Sequence, residues 1–354
     1  MATWKGWQPV TGICATAVLV AALGMGIRPV AAQGSTEKST YPTATEALPD
    51  GGVEYVYSDL PVQAKFPVPP PGFSPLAASD GQLAEYDFPA RPNDPKALAA
   101  WQEEMSFYRR TVPTDHLISF EAPNSARALP GLSSFNWSGY VADGSFQGIQ
   151  GEYNEPSLTS CGSQDAEVDW VGLGGANTND LVQIGTGWTN SDLNLSNGIN
   201  HDAWYEVLPQ QPYWQVLGLS TSPGDVIFAE VGHYSGGAFM YISDNSTGNV
   251  VNFDVAVPNY DGTSAEWIGE RPTVTPSGGG ASNYTRLTDF QQLNWRNDSV
   301  NVEAAWQPQG SVDNTVYNMY SDNSQTLLAD PYLIGTDLKS FTDYWDNCGN
   351  YEPA

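Results

Sequence analysis

Residues 226–255 read VIFAEVGHYSGGAFMYISDNSTGNVVNFDV and contain three short runs of apolar, β-branched and aromatic residues. The runs are Val226–Val231, Ala238–Ile242 and Val250–Asp254, and Asp244–Gly248 supplies the turn between the last two. Short apolar runs bounded by Gly, Asn, Asp and Ser are typical of β-strands joined by tight turns. The stretch therefore predicts three successive strands.

The same pattern runs from about residue 133 to the end of the chain, over roughly 220 residues. Short segments rich in Val, Ile, Tyr, Trp and Thr alternate with Gly, Asn, Asp and Ser, and no helix of ordinary length is predicted between 135 and 310. The sequence shows no internal repeat. These features indicate one all-β domain, a sandwich rather than two small units.

Residues 1–34 have the features of an export signal. Lys5 supplies a short positive segment, Cys14–Ile27 is apolar, and Val30–Ala32 fits a cleavage site with small residues. The apolar run is shorter than the roughly 20 residues that a membrane span requires. We therefore expect residues 1–34 to be a signal peptide rather than an anchor, and the protein to be secreted, extracellular and not associated with a membrane.

Cys14 lies in the expected signal peptide, so Cys161 and Cys348 are the cysteines of the exported chain. In an oxidising compartment two cysteines favour one disulfide, which here would tie the C-terminal tail to the body of the domain. Two free thiols are the alternative. The chain contains no Cys-x-x-Cys pair and no Cys/His zinc pattern, so we expect neither a metal nor another cofactor.

The chain is strongly acidic, with a formal net charge of −27 at pH 7. From Gly131 onward its basic residues are only Arg271, Arg286, Arg296 and Lys339. Such a surface is a poor partner for nucleic acid and for anionic membranes. It also suits an acidic medium, because few positive charges are left to repel one another once the carboxylates are protonated. Ordinary solubility or a halophilic surface is the alternative explanation.

Residues 35–130 differ from the remainder by their Pro-rich stretches and one helix signal. Asp94 is placed to cap a helix, and Pro95 suits its first position. Arg109 and Arg110 follow, where positive charge favours the helix dipole. The apolar stripe between them has spacings of three and four and consists of Leu98, Trp101, Met105 and Tyr108. We expect residues 35–130 to be a propeptide with a docking helix; an accessory domain or a linker is the alternative.

Several familiar protease signatures are missing. The sequence has three histidines, no HExxH motif, no GxSxG elbow and no Asp-Thr-Gly or Asp-Ser-Gly pair. Gly262–Ala265 resembles the serine motif of subtilisins and sedolisins, which would make Ser264 a nucleophile. The next residues, Glu266 and Trp267, continue a strand rather than begin a helix, and this argues against the match.

Two glutamates occupy the segment Ala265–Glu270, which reads AEWIGE. On a strand, Glu266 and Glu270 point to the same face. At about 3.3 Å per residue they stand roughly 13 Å apart, which is too far to share a proton. If Glu270 is catalytic, its partner must come from another strand.

Residues 265–270 resemble the Ala-Glu-Trp-Ile-x-Glu segment of the glutamic peptidases, the eqolisin family, and Leu181–Gly185 (LVQIG) resembles their Ile-Leu-Gln-Thr-Gly segment. The resemblance implies that Glu270 and Gln183 are catalytic and that Glu266 has a supporting role. A glutamate, which titrates near about 4.3 when free, remains partly ionised in acid, where a histidine would be protonated. The Gln183 amide has two donors, one for the Glu270 carboxylate and one for an oxyanion.

Three further segments resemble the same family: Asn136–Tyr140 (NWSGY), Asp169–Gly174 (DWVGLG) and Asp202–Glu206 (DAWYE). The resemblance implies that Trp137, Trp170 and Glu206 line the substrate cleft, where aromatic walls grip an extended peptide. We expect Trp204 and Trp267 to belong to the core instead.

The resemblance implies that residues 131–354 form an antiparallel two-sheet β-sandwich of the concanavalin A-like type, with Gln183 and Glu270 together on its concave face. It implies a secreted acid endopeptidase, a monomer that acts on proteins or peptides. Its own propeptide would leave in acid as salt links of Arg109 and Arg110 weaken. Glu270 would take a proton from water and return it to the leaving amine while Gln183 stabilises the oxyanion.

A secreted carbohydrate-binding β-sandwich is the alternative function. Abundant Trp, Tyr, Asn and Gly would suit a groove in which aromatic faces stack on sugars. This alternative accounts for the composition, but not for the order of the motifs or for the signal and propeptide.

Overall fold

The computed structural model describes residues 38–119, 133–176, 178–193, 199–257, 260, 263–274, 282–321 and 325–354. These residues belong to one structural unit, Gln33–Ala354. The expected signal peptide lies outside the described residues and stays a prediction. Among the described residues, no helix has the length and apolar character needed to span a membrane.

The N-terminal region, residues 38–119, contains short strands and two helices: β1 (Lys38–Thr40), β2 (Ala44–Ala47), β3 (Val53–Tyr57), β4 (Ala64–Val68), α1 (Asp80–Glu85), α2 (Pro95–Phe107), β5 (Arg110–Thr111) and β6 (Leu117–Ser119). The following strands are β7 (Ser133–Ser134), β8 (Trp137–Asp143), β9 (Gly148–Asn154), β10 (Asp165–Gly174), β11 (Leu181–Thr189), β12 (Asn200–Leu208), β13 (Gln211–Ser220), β14 (Val226–Tyr234), β15 (Gly237–Asp244), β16 (Asn249–Val255) and β17 (Ser264–Glu270).

The remaining strands are β18 (Thr273–Val274), β19 (Asn283–Tyr284), β20 (Arg286–Leu287), β21 (Gln292–Val302), β22 (Ala305–Pro308), β23 (Asn314–Tyr320), β24 (Leu327–Pro331), β25 (Phe341–Trp345) and β26 (Glu352–Pro353). Short 3₁₀ helices occur at Ser191–Leu193 and Gln309–Ser311. The described residues between 135 and 310 thus contain no α-helix, as the sequence predicts.

Two large antiparallel sheets form the sandwich, which confirms the predicted fold class. The front sheet has the order β1–β6–β13–β12–β11–β10–β17–β8–β23. The back sheet has the order β2–β3–β4–β16–β15–β14–β9–β21–β25–β24–β23. β23 belongs to both sheets, because residues 314–317 pair with β8 and residues 319–320 pair with β24.

The three strands predicted within residues 226–255 are β14, β15 and β16, which are consecutive neighbours in the back sheet. Asp244 closes the last turn, since its Oδ1 accepts hydrogen bonds from the backbone N–H of Ser246 (2.9 Å) and of Thr247 (3.2 Å). Gly248 follows with φ of +77°, a conformation that side chains with a Cβ rarely adopt. Local turn chemistry therefore sets this part of the fold.

The main core lies between the sheets and is built from the inward residues of alternating strands. It includes Val171 and Leu173 of β10, Ile227 and Ala229 of β14, and Trp267 of β17. A second cluster covers the outer face of the front sheet and contains Trp137, Val168, Trp170, Trp204, Trp214 and Ile268. The front sheet is therefore apolar on both faces.

The N-terminal region packs against the sandwich in three places. Its strand β6 pairs with β13 at the edge of the front sheet, and β4 and β5 pair with β16 at the edge of the back sheet. Tyr57, Phe66 and Leu117 lie in the main core, where Phe66 stacks on Phe253 at 4.4 Å between ring centroids. The region is thus part of the sandwich packing; its assignment as a propeptide stays a prediction.

The predicted helix is α2, and it lies on the outer face of the back sheet. Asp94 caps it by accepting from the N–H of Lys96 and Ala97, and Trp101 and Met105 are buried against β14, β15 and β16.

The expected salt links of Arg109 and Arg110 are absent from the described residues. Arg109 Nη1 donates to the Ser106 carbonyl in the last turn of α2 (2.8 Å), whereas Arg110 lies in β5 and donates to Asn249 Oδ1 (2.9 Å). The chain has turned into a strand by Arg110, so only Arg109 reaches the end of the helix. Among the residues that the structure describes, neither arginine forms an ion pair with a carboxylate whose protonation could release the region.

The C-terminal residues are fastened to the sandwich by covalent and ionic contacts. Cys161 and Cys348 form a disulfide, as predicted. Arg271, which is fully buried, forms an ion pair with Glu352 and donates to the Asn350 carbonyl at 3.2 Å. The last residues thereby hold the chain immediately after β17.

Candidate active site

Strand alternation brings the predicted site residues to the outer face of the front sheet. In β17, Trp267 packs in the main core, so Glu266 and Glu270 share the outer face with Ile268. The same alternation holds in β10, β11 and β12. The chain neighbours of Trp170, Gln183 and Glu206 point into the core, so these three side chains lie on the outer face.

Glu270 ends β17 and is only 3% exposed. Its Oε1 accepts a hydrogen bond of 2.8 Å from Asn136 Nδ2, and its Oε2 accepts one of 2.8 Å from Trp170 Nε1. An ionised carboxylate only accepts hydrogen bonds, so two N–H donors suit that form. Burial raises the pKa of Glu270 to about 7, and the bonds from Asn136 and Trp170 oppose this rise.

Gln183 contacts a different carboxyl group from the one expected. Its Nε2 donates a hydrogen bond of 2.6 Å to Glu206 Oε2, and no hydrogen bond joins Gln183 to Glu270. Burial raises the pKa of Glu206 to about 8; Glu270 adds to the rise and the bond from Gln183 opposes it. Burial thus raises the pKa of both carboxyl groups, and charge on Glu270 opposes charge on Glu206.

Gln183, Glu206 and Glu270 line one small cavity. Its volume is about 10 Å³, and its other walls are Val168, Trp204, Trp214, Pro272 and Thr273. A volume of roughly 10–15 Å³ is what one water molecule needs. The cavity therefore places a carboxyl pair and an amide around a space of the size of a single water.

The tryptophans predicted for the substrate cleft are buried beside Glu270. Trp137 and Trp170 are 2% and 0% exposed and pack edge to face, with 5.1 Å between ring centroids. Trp267 lies in the main core, as expected. Trp204 is also buried in a core cluster, as expected, but this is the outer-face cluster, and Trp204 lines the cavity because β12 turns it to the same side as Glu206.

Sequence reasoning missed two residues of this site. Asn136 holds Glu270, and its signal was present, since it begins the NWSGY segment in which only Trp137 was given a role. Trp214 forms a wall of the cavity and stands 5.7 Å from Trp204 between ring centroids, but no motif contains it. Its position depends on how β13 pairs with β12, which the sequence does not reveal.

The other candidate centres receive no support from the geometry. Ser264 is buried at the start of β17, and no helix follows it, unlike the serine motif that it resembles. Burial raises the pKa of Glu266 well above its usual range. Within the described residues, no group of three or more His, Cys, Asp and Glu side chains is arranged to hold a metal ion.

Comparisons with known proteins agree with the resemblance of the motifs. A profile of the Peptidase A4 family matches residues 135–337. One similar solved structure is scytalido-glutamic peptidase with a peptide-based transition-state analogue, with 21% identity, a TM-score of 0.50 and coverage of 64% of this chain and 100% of that chain. A second, scytalido-glutamic peptidase with a transition-state analogue inhibitor, has 22% identity, a TM-score of 0.51 and the same coverage. No curated protein matches the sequence.

Proposed function

The chain belongs to the Peptidase A4 family of glutamic peptidases, and from this premise we propose that Glu270 and Gln183 hydrolyse peptide bonds of proteins in acid. The observation that carries the proposal is the setting of Glu270. Two N–H donors hold both of its carboxylate oxygens, in the wall of a water-sized cavity that Gln183 shares.

In the proposed reaction Glu270 acts as general base and then as general acid. The ionised carboxylate takes a proton from a water as the water oxygen adds to the scissile carbonyl carbon and forms the tetrahedral intermediate. The C–N bond then breaks as protonated Glu270 gives the proton to the leaving amine, and a carboxylic acid and a free amine result. Asn136 and Trp170 fix the carboxylate during both steps. No covalent intermediate with the enzyme is required.

Gln183 is proposed to stabilise the oxyanion. An amide nitrogen carries two hydrogens, and the bond to Glu206 uses one of them. Glu206 thus orients the amide and leaves its second hydrogen for the oxygen of the tetrahedral intermediate. The resemblance also gives Trp137, Trp170 and Glu206 contacts with substrate, which requires the buried cleft to open around a bound peptide.

Acid activity is supported by the protein's interior and by its charge. Many carboxyl groups are buried, and burial raises the pKa of Glu167, Glu206 and Glu230 to about 8 in each case. These groups are neutral in acid, where their burial costs least. Few basic residues follow Gly131, so protonation leaves little positive charge to repel itself.

Secretion, cleavage of the N-terminal region and action as a monomer complete the proposal. The Cys161–Cys348 disulfide suits an oxidising extracellular medium. The N-terminal region contacts both sheet edges and the outer face of the back sheet. We propose that these contacts, and not salt links of Arg109 and Arg110, would keep the uncleaved protein inactive. The carbohydrate-binding alternative is set aside, because the family is one of peptidases.

The test is digestion of a denatured protein in the presence of pepstatin over about pH 3–7, because burial raises the pKa of Glu270 to about 7 and its ionised fraction falls as the pH is lowered. Glu270→Gln should lower kcat/KM by roughly 10²–10⁴-fold, the range that general acid–base catalysis supplies. Glu303→Gln, which changes an exposed glutamate in the same way, should match the wild type. Undiminished activity in a folded Glu270→Gln protein would refute the assignment.

A further inference from the structure

A large cavity lies on the opposite side of the sandwich from the candidate active site. It has a volume of about 860 Å³ and is enclosed by α2 and by the outer face of the back sheet. Strands β9, β14 and β21 form its floor, and β22 and residues near Lys339 complete the wall. Cavities of this size are typical of small-molecule and side-chain binding sites.

Glu230, in β14, is the unusual residue of this cavity. It is 6% exposed, lines the cavity, and makes no hydrogen bond or ion pair with any described residue. Buried polar groups in native proteins nearly always form a hydrogen bond or an ion pair. A buried carboxyl group without such a contact therefore indicates a partner that is not part of the chain.

The neighbouring acids of the cavity differ from Glu230 in this respect. Glu104 of α2 accepts hydrogen bonds from Ser243 Oγ (2.9 Å) and Asn245 Nδ2 (2.7 Å), and Glu152 of β9 forms an ion pair with Arg296. Glu230 is left without either kind of contact within the described residues.

Acidic residues outnumber basic ones around the cavity, with Asp94, Glu103, Glu104, Glu152, Glu230 and Asp337 against Lys96, Arg296 and Lys339. Burial raises the pKa of Glu230 to about 8, and the nearby carboxyl of Glu104 adds to the rise. Burial also raises the pKa of Tyr241, on β15, well above its usual range, and both glutamates add to that rise. A cation placed between these groups would reverse the shifts, because opposite charge favours the ionised carboxylates.

Part of the cavity wall suits an organic cation. Trp101, Met105, Phe228 and Trp306 offer apolar and aromatic surface, which suits an alkyl stem and a cation next to aromatic rings. No group of the described acids, histidines and cysteines is arranged to ligate a metal.

We propose that this cavity binds an organic cation, an alkylammonium or guanidinium group such as the side chain of a peptide lysine or arginine, with Glu230 as its ionic partner. The site is separate from the peptidase centre and does not depend on the proposed reaction. Its occupant would connect α2 of the N-terminal region to strands of the back sheet.

Calorimetric titration with Nα-acetyl-lysine amide at about pH 6.5 tests the proposal. Wild type should bind this probe, whereas its Nε-acetylated form, which has the same stem without the charge, should bind at least tenfold more weakly. Glu230→Gln should weaken binding at least tenfold. Glu85→Gln, the same change at an exposed position of α1 outside the cavity wall, should alter it less than twofold.

Two further measurements keep the test decisive. Ala100→Phe fills the cavity from the partly exposed side of α2 without removing a carboxyl group, and it should abolish binding even if Glu230→Gln does not fold. Affinity should rise between about pH 5 and pH 7, because the probe competes with the proton on Glu230.

Titration with n-butylammonium separates the two sources of the cation. Weaker binding than the lysine amide supports a peptide ligand, and equal binding supports a free amine. Equal binding of the charged and Nε-acetylated probes, full binding by folded Glu230→Gln, or no binding by wild type at about 10 mM would overturn the proposal.

Discussion

Gln183 donates a side-chain hydrogen bond of 2.6 Å to Glu206, whereas Glu270 accepts its hydrogen bonds from Asn136 and Trp170. The amide and the carboxylate of the candidate centre are therefore held by different partners, although both line the same cavity. Glu206 is thereby linked to both, since it accepts from Gln183 and its pKa is raised by burial and by Glu270. This arrangement makes the pH profile sensitive to residues other than the catalytic pair.

Asn136→Leu should move the acidic limb of the kcat/KM profile to higher pH. The variant removes a donor that favours ionised Glu270, so the pKa of Glu270 should rise. A hydrogen bond to a charged group is worth about 1.5–3 kcal/mol, which corresponds to roughly one to two pH units. An acidic limb that stays in place, in a variant with wild-type circular dichroism, would contradict the role of Asn136.

Glu206→Leu should move the same limb to lower pH, by about one unit. The variant frees the Gln183 amide to donate to Glu270, and a hydrogen bond from an amide N–H favours the ionised carboxylate. Glu206→Gln is the matched control, because it keeps an acceptor for the amide and should leave the limb closer to wild type. If both variants shift the limb equally, the bond to Gln183 is not the cause.

Stability should fall as pH rises from about 4 to 8. Burial raises the pKa of Glu167 to about 8 and that of Asp169 and Asp343 well above the usual range, whereas unfolded carboxyl groups titrate near about 4. The folded state then holds protons that the unfolded state releases. The stabilisation is complete below about pH 4 and is lost as pH rises through the folded-state values, by up to about 1.4 kcal/mol per pH unit for each group.

Urea unfolding at several pH values measures this dependence. Asp169→Asn should flatten the curve and be more stable than wild type at about pH 8, whereas Asp313→Asn, at an exposed site, should follow wild type. A urea midpoint that increases between about pH 4 and pH 7 would show that the buried carboxyl groups do not govern stability.

Glu352→Gln should destabilise the fold by about 3–5 kcal/mol, because it removes the negative charge that pairs with the buried guanidinium of Arg271. Arg271 directly follows Glu270, so the loss should also disturb the end of β17. The exposed control Glu303→Gln should change the free energy of unfolding by less than about 0.5 kcal/mol. Equal urea midpoints for Glu352→Gln and wild type would show that the ion pair of Glu352 with Arg271 does not stabilise the fold.

The strand pattern and the local turn chemistry could be predicted from sequence. β14, β15 and β16, the Asp244 turn and the cap of α2 at Asp94 depend on neighbours in the chain, and all occur as expected.

The partner of Gln183 and the position of Trp214 could not be predicted, because they depend on pairing among β11, β12 and β13. From the sequence we expected both Arg109 and Arg110 at the end of α2. In the structure β5 begins at Arg110, and this residue contacts β16 instead of the helix. The burial of Glu230 could not be predicted from sequence either. A glutamate within an apolar run can also lie on the solvent-exposed face of a strand.

The pairing of β6 with β13, and of β4 and β5 with β16, bears on how a form cleaved after the N-terminal region would behave in solution. A form without residues 38–119 would leave unpaired those backbone N–H and C=O groups of β13 and β16 that now bond to β6, β4 and β5. It would also lose the apolar cover supplied by Tyr57, Phe66 and Leu117. Open edges of this kind pair with strands of other chains, so we expect a form without the N-terminal region to aggregate more readily than the full chain.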